Sequence, residues 1–132
     1  MLKSAINDLK KWLCDHMGSN YYYGEAPETA HAPYRVATLA SSYTDGECEV
    51  WSLELDYWSN GKTEDAINEM IAADRGNGNI VTPSGMDKLR IDLNNGYVYI
   101  FYDGAQSVID PDKRIRHKRA SYYVRIYNKN GG

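Results

Sequence analysis

Glu47-Cys48-Glu49-Val50-Trp51-Ser52-Leu53-Glu54-Leu55-Asp56-Tyr57-Trp58 is the stretch whose reading decides the fold. Trp51, Leu53, Leu55 and Tyr57 alternate with Ser52, Glu54 and Asp56, a period of two that only a strand with one dry and one wet face uses. Just upstream, Thr44-Asp45-Gly46 is a turn sequence, and Tyr34 to Tyr43 before it reads as extended, so the pair is expected as an antiparallel hairpin. Just downstream the period changes. From Thr63 to Arg75, Ala66, Ile67, Met70, Ile71 and Asp74 fall on one helical stripe, with Glu64 and Asp65 suiting the start and Gly76 the end.

The same reading extends to both ends of the chain. Leu2, Ala5, Ile6, Leu9, Trp12, Leu13 and His16 recur at three- and four-residue steps and predict a helix over 2–17 that stops at Gly18. Ser19 to Pro33 reads as a long ordered loop. After a polar connection over 77–85, Leu89, Ile91 and Leu93 alternate with Arg90 and Asp92. Asn94-Asn95-Gly96 then supplies a tight hairpin turn. Tyr97 to Tyr102 is apolar on both faces, which requires cover on both sides. Asp103 to Lys113 reads as a loop. The last strand, 118–127, alternates Ala120, Tyr122, Val124 and Ile126 with Arg119, Ser121, Tyr123 and Arg125, and 128–132 is a loose tail. The order predicts one α+β domain over 1–132, with two helices packed on one face of a mostly antiparallel sheet of about five strands. The opposite face, rich in Tyr, Ser, Arg and acids, is left to water or a partner.

Composition narrows the chemistry by exclusion. The chain has 132 residues, 42% apolar and 25% charged, which are ordinary globular values. Its 12 Tyr and 3 Trp stand against a single Phe, a balance that suits half-wet contact surfaces. A net charge of −3 gives no global basic field for nucleic acid or anionic lipid. No run approaches the ~18 apolar residues of a spanning helix. Cys14 and Cys48 form neither a metal cluster nor a disulfide framework, although their spacing leaves one bond open; a reducing cytosol is the default setting.

His16, His31 and His117 share no ligand spacing with each other or with the cysteines, and His16 reads as a packed helix residue. The glycines form no phosphate-binding fingerprint, and no serine sits in a nucleophile elbow. Glu54 and Asp56 could pair as carboxylates, but alternating acids on a solvated strand face explain them as well. The run Lys113-Arg114-Ile115-Arg116-His117-Lys118-Arg119 is the one charge concentration, and its readings are a solvated loop, a protein contact or a phosphate strip. Tyr21-Tyr22-Tyr23 could stack on a ligand or pack on the sheet. No catalytic residue and no cofactor or metal is expected.

Three segments, in order, carry a resemblance. They are Tyr23-Gly24-Glu25-Ala26-Pro27-Glu28 with Ala32-Pro33-Tyr34-Arg35-Val36, then Leu53-Glu54-Leu55-Asp56-Tyr57-Trp58-Ser59-Asn60, then Arg119-Ala120-Ser121-Tyr122-Tyr123-Val124-Arg125-Ile126-Tyr127. With the leading helix, they resemble the tail terminator (tail completion, head–tail joining) proteins of long-tailed bacteriophages and prophages over nearly the whole chain. The resemblance implies a non-enzymatic virion protein, assembled in the host cytoplasm, that sits at the neck as a homo-oligomeric ring, commonly a hexamer. Such a ring caps the tail tube protein, ends its polymerisation and meets the head–tail connector. The rival readings are another neck or head-completion adaptor and, from a different class, a small enzyme or nucleotide-binding regulator. If copies associate, Tyr97, Tyr99 and Phe101 are expected to be covered by a neighbour. The basic run 113–119, with Arg114, Arg116 and Arg119, would meet the acidic stretch Asp45, Glu47, Glu49, Glu54 and Asp56 of the next copy.

Overall fold

The computed structural model describes residues 2–94 and 96–128. Helix α1 (Leu2–His16) is followed by β1 (Tyr21–Tyr23), the hairpin β2 (Tyr34–Asp45) and β3 (Cys48–Ser59), helix α2 (Asp65–Arg75), β4 (Leu89–Leu93), β5 (Gly96–Val108) and β6 (Arg116–Asn128). The six strands form one sheet in the order β1-β2-β3-β6-β5-β4. All neighbours are antiparallel except β1, which runs parallel to β2 with Tyr21 beside Arg35 and Tyr23 beside Ala37. Both helices lie on one face, as their stripes predict. Ala5, Ile6, Leu9 and Leu13 of α1 and Ile67 and Ile71 of α2 are buried against Leu53, Leu55, Tyr57, Ala120, Tyr122, Val124 and Ile126.

The sheet departs from the sequence-based expectation in two places. It has six strands and is mixed, because Tyr21–Tyr23 is an edge strand and not loop. A three-residue strand carries no alternation to read, and only its partner β2 defines it. The second departure is at 103–113. β5 continues to Val108 and β6 starts at Arg116, so the loop shrinks to 109–115. A bulge between Tyr102 and Gly104, with Gly104 at φ +132, resets the alternation there and hides the continuation from a period count. The last strand, β6, is central, between β3 and β5.

The expected helix boundaries hold to within two residues, and Gly18 and Gly76 take the positive φ expected at those ends. His16 is a correction. It is exposed, stacked on Trp12 at 4.2 Å, with Nδ1 2.8 Å from the Trp12 carbonyl, so it closes the helix end and does not pack in the core. Cys14 and Cys48 are both free thiols, the first exposed and the second buried. Of the expected 94–96 turn, Asn95 lies outside the described residues, as does 129–132 of the expected tail; Asn128 ends β6.

An internal charge network ties these parts together. Arg35 on β2 is 6% exposed. Its guanidinium donates to the Met17 and Ser19 carbonyls beyond α1 and to Asp74 Oδ1 on α2, while the Tyr57 hydroxyl of β3 donates to Asp74 Oδ2 at 2.7 Å. Burial pushes the Asp74 carboxyl up from its ordinary value, and the Tyr57 hydrogen bond and the Arg35 charge pull the other way.

Candidate functional site

Antiparallel register puts every second residue of β3, β6 and β5 on the face that the helices leave open. On β5 these include Tyr97, Tyr99 and Phe101; on β6, His117, Arg119, Ser121, Tyr123, Arg125 and Tyr127; on β3, Val50, Ser52, Glu54, Asp56 and Trp58. One end of this face is aromatic. Tyr97 stacks on Tyr127 at 4.9 Å and Phe101 on Tyr123 at 5.1 Å, and Tyr99 meets Tyr127 edge-on at 6.3 Å. Arg90 of β4 closes the patch, its guanidinium 4.4 Å from the Tyr97 ring centre and donating to the Tyr99 hydroxyl at 3.2 Å. Tyr123 is 36% exposed and Tyr43, at the same end, 56%.

The other end is a second aromatic strip running across four strands. Tyr22 meets Tyr34 edge-on at 6.1 Å, Tyr34 stacks on Trp58 at 5.4 Å, and Trp58 stacks on His117 at 4.4 Å. Between the two aromatic ends lies an ion network. Arg119 Nε is 2.9 Å from Asp56 Oδ1 and 3.0 Å from Glu54 Oε2, and His117 Nε2 is 2.8 Å from Asp56 Oδ1. The Asp56 carboxylate holds the Arg119 guanidinium above its ordinary value.

The candidate contact residues therefore divide. Tyr97, Tyr99, Phe101, Glu54, Asp56 and Arg119 share the open face. Arg114 sits in the 109–115 loop and pairs with Asp112 at 2.9 Å. Arg116 turns to the margin and donates to the carbonyls of Gly61 and Lys62. The ion pairing expected between copies is already made within one chain, because register sets Asp56 directly beside Arg119. Trp58, His117, Tyr34 and Tyr22 join this face beyond the expected set, and the sequence signal for Trp58 is its place two residues after Asp56. Aromatic rings interleaved with arginine on a half-exposed surface have the composition of a protein contact core. Among the described residues, no group of three or more His, Cys, Asp and Glu side chains is placed to hold a metal.

The fold is a small α+β architecture with an aromatic sheet face that its two helices leave open. The chain matches no protein family and no curated protein. In fold it is similar to a chain of a solved structure described as the virion of a native gene transfer agent (GTA) particle, with a TM-score of 0.63, 11% identity, and coverage of 96% of this chain and 93% of that chain.

Proposed function

We propose that this chain is a structural protein of a phage-like particle and not an enzyme. The observation that carries the reading is the fold likeness to a chain of the GTA virion, end to end on both sides at 96% and 93% coverage. The open face supports it, since a sheet that presents stacked Tyr, Phe and Trp to solvent on one side is built to be covered.

Within that class the chain acts as a tail terminator. Copies form a ring, hexameric by resemblance, that caps the tail tube at the neck, stops its growth and receives the head connector. The aromatic end of the open face, Tyr97, Tyr99 and Phe101, is the surface that a neighbouring virion protein covers. The experiment is deletion of the gene from the producing element, with particles examined by electron microscopy. Tails of uncontrolled length and unjoined heads are expected, with rescue by the wild-type chain. Normal tail lengths with headless tails would move the chain to a head-side adaptor, and unchanged particles would overturn the reading.

A further inference from the structure

We infer that copies of this chain join by their backbone edges, the outer edge of β2 in one copy pairing with the outer edge of β5 in the next. This rests on the proposed self-assembly and specifies the contact through which it occurs.

The sheet is stepped at both margins. β1 covers β2 only from Arg35 to Ala37, and the Tyr23 hydroxyl takes the Leu39 N–H, so from Ala40 onward no described strand pairs with the outer side of β2. At the opposite margin β4 covers β5 only from Gly96 to Ile100. The Asp87 carboxylate takes the Tyr102 N–H, and from Gly104 onward no described strand pairs with the outer side of β5. Ala40–Thr44 is exposed throughout, and Ala105, Gln106 and Ser107 are exposed as well.

A free edge of this kind is normally blunted by charge, proline, shortness or a bulge. Both covering strands follow that rule: β4 carries Arg90 and Asp92, paired at 3.1 Å, and β1 has three residues. The two uncovered segments have only a bulge each, at Ser41/Tyr43 and Tyr102/Gly104. Ala40-Ser41-Ser42-Tyr43-Thr44 and Gly104-Ala105-Gln106-Ser107-Val108 hold no charge and no proline. They are the edges in this sheet that a strand can approach without burying a charge.

Direction and register agree with such a contact. β2 and β5 point opposite ways through the ladder, so two copies side by side with the same face forward bring these edges together antiparallel. The pleat admits only even shifts, because an odd one would turn every side chain to the wrong face. A shift of about six residues, roughly 20 Å at ~3.4 Å per residue, sets Ala40 across from Val108, Ser41 from Ser107, Tyr43 from Gln106 and Thr44 from Ala105. The Ser41–Tyr43 bulge is absorbed between them. The same shift stops the neighbour's Gly46 turn short of Leu89 and starts its β1 beyond the end of β5, so one displacement clears both steps. The contact is head-to-tail and leaves an equivalent edge free on each side, which is what a closed ring repeats, and a constant stagger is what tilted strands need for closure.

The test is disulfide trapping in assembled particles, using the full chain in a Cys14→Ser background. Thr44→Cys with Ala105→Cys are exposed positions that should face each other across the contact. Mild oxidation should convert the chain into a ladder of disulfide-linked multimers on a non-reducing gel. The offset pair Thr44→Cys with Gln106→Cys should give about tenfold less, since neighbouring residues of a strand point to opposite faces. Normal particles in which the matched pair does not crosslink, or crosslinks no better than the offset pair, would overturn the edge contact and leave the virion assignment standing. Particles that hold the chain as isolated single copies would overturn both.

Discussion

Arg35 Nε lies 2.7 Å from Asp74 Oδ2 in the interior, with the two side chains only 7% and 11% exposed. The pair joins the second strand to the second helix and, through the Arg35 bonds to Met17 and Ser19, to the end of the first. Breaking a buried pair from one side leaves a desolvated charge, which costs more than the pair itself contributes. Asp74→Ala should therefore destabilise by about 3–5 kcal/mol. The double variant Arg35→Met with Asp74→Leu should cost less than the two single changes added together. Urea titrations of all four proteins measure the coupling, and strict additivity would remove the network from this account.

Tyr57 gives a test by pH. Burial first, then the Asp74 charge and hydrogen bond, push its hydroxyl far above the ordinary 10.0. Tyr21 and Tyr122 are also pushed up, chiefly by burial. In each case the folded state holds a proton that the unfolded chain gives up, so stability is complete below pH 10 and falls as pH rises beyond it. Ultraviolet titration of the 12 tyrosines should show these phenols ionising only as the protein unfolds. Tyr57→Phe should flatten the alkaline slope and, by removing a hydrogen bond to a charged group, cost about 1.5–3 kcal/mol at neutral pH. An alkaline slope unchanged in that variant would count against the burial assigned to it.

The first helix should be held by Leu9 and Leu13, which are 0% and 1% exposed. Trp12 lies at the margin of the core, half-buried and stacked on His16. Leu9→Ala should cost about 2–5 kcal/mol, the range of a buried Leu truncation. Trp12→Ala should cost clearly less, although the ring is larger. Melting temperatures decide it, and a greater loss from Trp12→Ala would place the indole in the core after all.

Gly76 and Gly85 should tolerate no side chain. A Cβ on Gly76 would fall 2.3 Å from the Gly85 nitrogen, and one on Gly85 would fall 2.6 Å from the Asp74 carbonyl. Gly76 also sits at φ +76, whereas Gly46 has φ +59 with open space around it. Gly76→Ala adds a clash of about 1–3 kcal/mol to the cost of the left-handed backbone, which Gly46→Ala bears alone. Equal melting temperatures for the two variants would contradict the close approach of these backbones.

Arg119→Glu should lower stability by more than the ~1 kcal/mol of a surface ion pair, because Asp56, 14% exposed, loses its cation and gains a like charge beside Glu54. Its stability should be partly restored by Glu54→Lys. Thermal unfolding of the single and double variants checks the pairing, and no recovery in the double variant would deny it.

Much of this molecule is legible in its sequence. Period counts locate both helices and their buried stripes, because a helix shows its dry side every third or fourth residue. Trp51, Leu53, Leu55 and Tyr57 identify the dry face of β3, and Ala120, Tyr122, Val124 and Ile126 that of β6, because a strand alternates. An Asp on the apolar stripe of the second helix was visible too. That it meets Arg35, 39 residues away in sequence, was not. Pairing is a property of two segments and leaves no periodic trace in either. Turn residues give the β2–β3 and β4–β5 hairpins, but the tertiary structure alone decided the other pairings, and with them the parallel Tyr21–Tyr23 edge and the central place of the last strand. It also decided that Asp56 pairs with Arg119 inside one chain. A residue's own face follows from its neighbours along the backbone, whereas its partner follows from register, which the whole sheet sets at once.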